Sequence, residues 1–283
     1  MLPGRVVLPR MQEQLRRRSV GPPAARSMLL TVLGEYVLPR EDAVWHETLV
    51  SALEALGYKL QTARQALTRS VLDGWLVGER QGRRSRLRLT PETEQMLRTG
   101  AERIYSFGKP PGWDGRWLLV VLHVPESSRE IRHQARMQLE WAGFGSLGGG
   151  LWISPHVDRE TEVRQLVSGN GSVAHLLSFH AQLGEIGDPD KAIAEAWDLE
   201  GLSDAYRGFI TRYGRQRPRD GESVFRAQTE LVHDWRKFPF LDPDLPDHLL
   251  PSGWPRQRAY EVFQQRHAEW HERAQAYFRS LGG

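Results

Sequence analysis

The chain has 283 residues, 40% of them hydrophobic and 26% charged, which supports a folded core in about two domains and excludes wholesale disorder. Cysteine is absent, so disulfides, thiolate nucleophiles, iron–sulfur clusters and cysteine-based zinc sites are excluded. The net charge of +3 hides an asymmetry: residues 1–112 carry 18 Lys and Arg against 11 Asp and Glu, the rest 20 against 24, so the first third is the part suited to a polyanion.

Residues 1–26 read as a basic N-terminal arm. Arg5, Arg10, Arg16, Arg17 and Arg18 are interrupted by Pro9, Gln12, Glu13 and Gln14, which leaves no apolar stretch for an export signal. No apolar run approaches the roughly 18 residues of a membrane span. The expectation is a cytoplasmic protein with no membrane partner.

Residues 27–106 predict a winged helix-turn-helix. Met28, Leu29, Val32, Leu33, Tyr36 and Val37 recur at helical spacing and stop before Pro39. A second stripe, Trp45, Leu49, Leu53 and Leu56, follows Glu41 and Asp42 and ends at Gly57. In the third helix Leu60, Ala63, Leu67 and Val71 share one face. Gln61, Thr62, Gln65, Thr68 and Arg69 occupy the other, with Arg64 at its margin. Leu72 falls on the polar side and is expected to pack under the next element. The period then changes to two: Trp75 to Glu79 and Ser85 to Leu89 predict a hairpin with a glycine-containing turn. Arg80, Arg83, Arg84, Arg86 and Arg88 crowd into nine residues of it. Like charges facing one another across a ribbon are destabilising unless an anion neutralises them. The DNA-contact set is therefore Gln61, Thr62, Arg64, Gln65, Thr68 and Arg69 in the major groove, with Arg80, Arg83, Arg84 and Arg86 on phosphates.

A helix from Pro91 to about Tyr105 and a linker at 107–112 lead into residues 113–185. Trp117 to Val124 predicts a strand covered on both faces. A helix capped by Ser127 or Ser128 follows, with Ile131, Ala135, Leu139 and Ala142 on one side. A weak strand near 144–147, a strand over 151–154, a helix over 158–167 and a strand over 173–183 complete a ferredoxin-like βαββαβ order, expected to serve dimerisation or sensing. The glycines of GFGSLG follow a helix and enter a strand, the reverse of a dinucleotide fingerprint. Glu126, just beyond the first strand, is the one carboxylate placed to hold magnesium. It is the basis of an alternative reading as a metal-dependent nuclease.

Residues 188–283 predict a helical C-terminal domain, with helices over 191–213, 222–236 and 257–281. Between the last two, residues 237–255 hold five prolines. His267 and His271 stand four apart on the last helix, but spacing supplies no third ligand, and they read as an ordinary surface or interface pair with no metal. No GxSxG or other nucleophile constellation occurs, so the expectation is a non-enzyme without a cofactor.

The strings ARQALTR at 63–69, GWL at 74–76, QGRRSRLRLT at 81–90, WDGRW at 113–117, WAGFGSLGGGLWISPH at 141–156 and DWRKFPFLDPDLPDHLLPSGWP at 234–255 resemble the PaaX family of bacterial transcriptional repressors of phenylacetate degradation. Ala63, Gln65 and Ser70 depart from the family's usual recognition helix, which leaves the operator sequence open. The resemblance implies a repressor acting as a homodimer on a pseudo-palindromic double-stranded operator, released by an aryl-CoA effector of the phenylacetyl-CoA type. An aryl group needs an apolar cleft and a CoA tail needs basic groups. Trp113, Arg116, Trp152, His156, Arg236, Lys237 and Trp254 are the candidates, each equally suited to packing. A scaffold that binds protein through the acidic C-terminal part is the remaining alternative. The fold class expected is multidomain α+β: winged helix-turn-helix, ferredoxin-like middle and all-α C-terminal part.

Overall fold

A computed structural model describes residues 23–40, 42–82, 84–108, 112–125, 128–161, 163–164 and 175–282. Nearly all of the expected N-terminal arm, together with Arg83 and Glu126, lies outside the described residues. In chain order the helices and strands are α1 (Ala25–Val32), β1 (Val44–Trp45), α2 (His46–Ala55), α3 (Leu60–Leu72), β2 (Leu76–Gln81), β3 (Arg84–Leu89), α4 (Pro91–Ser106), β4 (Trp117–His123), α5 (Arg129–Trp141), β5 (Gly145–Ser146), β6 (Leu151–Ser154), β7 (His175–Ala181), α6 (Pro189–Ala196), α7 (Leu199–Arg215), α8 (Gly221–Trp235), α9 (Phe238–Leu241) and α10 (Arg256–Ser280). The chain is multidomain α+β and folds as two units. One holds residues 1–107, 209–237 and 258–283; the other holds 108–208 and 238–257. The segment expected as one helical domain at 188–283 is thus shared between them.

In the first unit α1 does not end at Val32 but continues through a π-helical turn, Leu33–Val37, into a short 3-10 turn, Leu38–Arg40. The apolar stripe read from the sequence is buried: Leu29, Val32, Leu33 and Tyr36 are fully enclosed. β1 was not foreseen, because two residues are too short for an alternation to register. It pairs with β3, giving a sheet of order β1-β3-β2. α3 buries Ala63, Ala66, Leu67 and Ser70. Leu72 is the correction in this region: it is 79% exposed rather than packed under the hairpin. Gly74, at φ +73°, reverses the chain there and brings Trp75 into the core in its place.

The first helix is roofed by helices from the far end of the chain. The Tyr36 ring stacks 5.1 Å from Phe278 and lies 5.0 Å from Phe225, and its hydroxyl is 3.0 Å from Thr229 Oγ1. Trp235 stacks 4.7 Å from Phe263, lies 5.9 Å from Phe107, and donates its Nε1–H to the Ile104 carbonyl. Truncating one such aromatic to alanine costs about 3–5 kcal/mol, so this shared core is a principal anchor of the N-terminal helices.

The second unit is built on an antiparallel sheet of order β5-β6-β4-β7. Leu118, Val120 and Leu122 of β4 face Ala135, Leu139 and Ala142 of α5, with Phe144 and Trp152 in the same core. Trp117 faces the other way, onto Ile153, Ile193 and Leu245. Apolar packing on both faces explains the uninterrupted run in the sequence. Beyond that cover, Val121, Leu177 (57%) and Phe179 (51%) are exposed. The single helix expected over 191–213 is two: Trp197 is extended (φ −134°, ψ 143°), and the Asp198 carboxylate accepts the Gly201 N–H at 2.9 Å to start α7. The later part of the helix expected at 158–167 lies outside the described residues.

Candidate nucleic-acid interface

The outward side of α3 follows from its helical period. With Ala63, Ala66, Leu67 and Ser70 inside, Gln61, Thr62, Arg64, Gln65, Thr68 and Arg69 are all exposed. Thr68 turns its hydroxyl back to the Arg64 carbonyl at 3.0 Å, while Arg64 and Arg69 make no ion pair among the described residues. These six residues stand together along one side of a 13-residue helix.

The hairpin presents its arginines unequally. Arg80 is exposed and spans the turn to the Gly82 carbonyl at 3.4 Å. The Arg84 guanidinium is exposed and sits 4.4 Å over the Trp45 ring. Arg86 is half-buried: it lies 5.1 Å from the same ring and donates to the Ala43 carbonyl at 2.7 Å. Arg86, expected on a phosphate, thereby braces β3 against the segment that leads into β1. Arg88 pairs with Glu79 at 3.1 Å across the ribbon. Like-charge repulsion within the hairpin is thus relieved in part internally, by an aromatic ring and one glutamate. Sequence reading missed Trp45, which it placed on the stripe of the second helix; an aromatic stack is set by strand pairing and leaves no periodic signal.

Of the seven residues put forward for an effector, five lie in the second unit and two in the first. In the second unit Trp113 donates to the Arg116 carbonyl at 2.8 Å, and Arg116 is tied to Asp114. Trp152 is buried beneath α5, on the side of the sheet opposite to Trp117. His156 Nε2 lies 3.0 Å from the Pro243 carbonyl, and Trp254 meets Tyr206 edge-on at 6.2 Å. In the first unit Lys237 pairs with Asp234 at 2.8 Å. Arg236 is buried and donates to the Ser27 carbonyl and hydroxyl at 2.9 and 3.0 Å, and burial pushes its guanidinium down to about 10. It works as an internal tie of α1. Beside it, His233 Nδ1 is 3.0 Å from Thr31 Oγ1, and burial first, then the Arg236 charge, pushes this imidazole well below its ordinary value.

The proline-rich signature has a structural centre that its sequence did not disclose. Arg256 Nη1 is 2.7 Å from Asp244 and 3.6 Å from Asp242, and its Nη2 reaches Asp247 at 3.1 Å and the Leu245 carbonyl at 3.2 Å. Tyr206 donates to Asp242 at 2.6 Å. Burial raises both carboxyls, that of Asp244 to about 6, against the lowering pull of Arg256.

His267 and His271 are the clearest revision. Expected as a surface or interface pair, they converge on Glu35, a residue that nothing in the sequence singled out. His267 Nε2 lies 3.0 Å and His271 Nδ1 3.3 Å from Glu35 Oε1. Gln228 donates to the same oxygen at 2.9 Å and Tyr105 to Oε2 at 2.6 Å. Burial alone would raise this carboxyl; hydrogen bonds from the two imidazoles, helped by Tyr105, hold it at about 2. The hydrogen bond to Glu35 in turn raises His271.

The fold defines an α+β chain in which the first and last segments share one core and an antiparallel sheet unit is inserted between them in sequence. Three family models match it in succession: "PaaX-like protein" over residues 24–93, "PaaX protein central Cas2-like domain" over 110–193, and "PaaX-like protein C-terminal domain" over 197–280. The chain belongs to the PaaX family. It is 29% identical over 252 residues to the transcriptional repressor PaaX of Escherichia coli strain K12, spanning 85% of this chain and 78% of that one. Its fold is similar to that of the uncharacterized protein Rv0674 from Mycobacterium tuberculosis, with a TM-score of 0.59, 23% identity, and coverage of 87% of this chain and 96% of that chain. Among the described residues no helix is long and apolar enough to cross a membrane.

Proposed function

We propose that the protein is a DNA-binding transcriptional repressor whose N-terminal part is a winged helix-turn-helix. The observation that carries this reading is the exposed polar side of α3, with Arg64 and Arg69 in no ion pair among the described residues, next to a hairpin bearing exposed Arg80 and Arg84. In such a module the helix reads base edges and the wing follows the backbone. The β5-β6-β4-β7 arrangement, with α5 between β4 and β5, supports a ferredoxin-like middle unit. The family tie supports an aromatic-acid regulon and an aryl-CoA effector, which must favour the DNA-incompetent arrangement to release the operator. A homodimer belongs to the same reading, since two heads related by a two-fold match a pseudo-palindrome.

The test is a gel shift on the DNA upstream of the protein's own gene, with and without a panel of aryl-CoA thioesters and free aromatic acids. A retained, sequence-selective complex that one thioester dissolves is the expected result. No retention at low salt would overturn the reading in favour of a protein-binding scaffold. Cleavage of labelled duplex in magnesium, lost in Glu126→Ala, would overturn it in favour of a nuclease.

A further inference from the structure

We propose that Glu35, His267 and His271 form a binding site for a divalent transition-metal ion of the zinc class. Their ligand atoms all lie within 4.8 Å of one another. Two imidazole nitrogens and one carboxylate oxygen are a donor set that such ions favour. Neighbouring ligands on a tetrahedral zinc stand about 3.4 Å apart, given bonds near 2.1 Å. The distances of 3.0 and 3.3 Å from Glu35 Oε1 are already close to that value.

Two features of the chain build this cluster. His267 and His271 lie one turn apart on α10, which puts both rings on one side of the helix, stacked at 5.1 Å. Glu35 lies in the middle of the π-helical turn that interrupts the first helix. Such turns shift side chains from their ordinary helical face and recur at functional sites. The carboxylate is 3% exposed, and no lysine or arginine compensates it among the described residues. Each ring puts one nitrogen on the same carboxylate oxygen, and two imidazoles and a carboxylate can share an ion placed between these three atoms. Tyr105 on Oε2 and Gln228 on Oε1 are the outer partners that orient a ligating carboxylate, and Gln275 holds the Glu35 backbone carbonyl at 2.8 Å. The His271 side chain is 36% exposed, which gives an ion a route in and leaves a coordination position toward solvent.

The test uses the full chain, freed of any purification tag. Zinc and cobalt(II) are titrated separately, with zinc scored by competition against a chromophoric chelator and cobalt by its visible absorption. One equivalent per chain and a new cobalt band are expected, with zinc binding weakened at least tenfold in His271→Ala and in Glu35→Gln. His271 is half-exposed, so its variant should keep the wild-type circular dichroism spectrum even if the Glu35 variant does not fold. His46→Ala, away from the cluster, should bind as wild type does. Failure to bind either ion at micromolar concentrations, or equal affinity in wild type and His271→Ala, would overturn the proposal. The readout needs no DNA, so it stands or falls apart from the repressor reading.

Discussion

Replacing Arg80 and Arg84 together by alanine is expected to flatten the salt dependence of DNA binding while leaving base preference intact. Both guanidinium groups are exposed on the hairpin; Arg84 rests on Trp45, and the one hydrogen bond of Arg80 is a long one within its own turn. Each neutralised phosphate contributes about 0.9 to the slope of log affinity against log salt, so two lost contacts lower it by about 1.8. From about 50 to 200 mM salt, wild type should then lose about tenfold more affinity than the double variant. Fluorescence anisotropy with a labelled operator duplex across that range measures the difference. Arg64→Ala and Arg69→Ala are the contrast: each should cost about 1–3 kcal/mol where a bidentate base contact is lost, and should relax the choice of base at one position. An unchanged slope in the double variant, or a slope change confined to Arg64→Ala, would refute the division of labour between helix and wing.

Three further predictions concern stability. His233 is buried and its folded value is depressed below the 6.5 of a free imidazole, so the unfolded chain takes up the proton first: stability is present above that pH and is lost as pH falls below it. His233→Gln should reduce the drop in urea midpoint between about pH 7.5 and 5.5, and parallel pH profiles would contradict this. Arg256→Met leaves Asp242 buried without its cation, which should cost about 3–5 kcal/mol in thermal or urea unfolding; a loss below about 1 kcal/mol would mean that the carboxyl is protonated in the native state. Gly150→Ala places a methyl against the Leu122 carbonyl oxygen at φ +84°, whereas Gly149→Ala meets nothing at φ +57°. The first should be destabilising by well over about 1 kcal/mol and by more than the second, and equal melting temperatures would remove the close approach as the cause.

Local pattern made much of this structure legible. The stripe of Leu29, Val32 and Leu33 names its buried face directly; of Leu60, Ala63, Leu67 and Val71 only Ala63 and Leu67 are buried, and the outward residues of α3 lie opposite those two. The run from Trp117 to Leu122 reads as a doubly covered strand; one face is covered at Leu118, Val120 and Leu122 and the other at Trp117 and Leu119, while Val121 is exposed. What could not be read depends on partners far away in sequence. Glu35 looks like any solvent-facing glutamate until α10 is laid beside it. Arg236 looks like a basic residue free for an anion until Ser27 takes its donors. Trp197 sits inside a plausible helical stripe, and only the Asp198 cap shows why two helices form there. A period reports which face is inside; it does not report what waits there.

The sharing of one core between the two ends of the chain bears on how the protein is made. Gln275 and Glu35, which are bonded to each other, are separated by 240 residues. At a synthesis rate of about 5–20 residues per second, the helix that carries Glu35 leaves the ribosome roughly 10–50 seconds before its roof exists. Throughout that interval Tyr36 and its apolar neighbours have no finished hydrophobic cover. The N-terminal helices should therefore complete their core only once α10 has been made, and a gene fragment ending before Phe225 should yield an aggregating product.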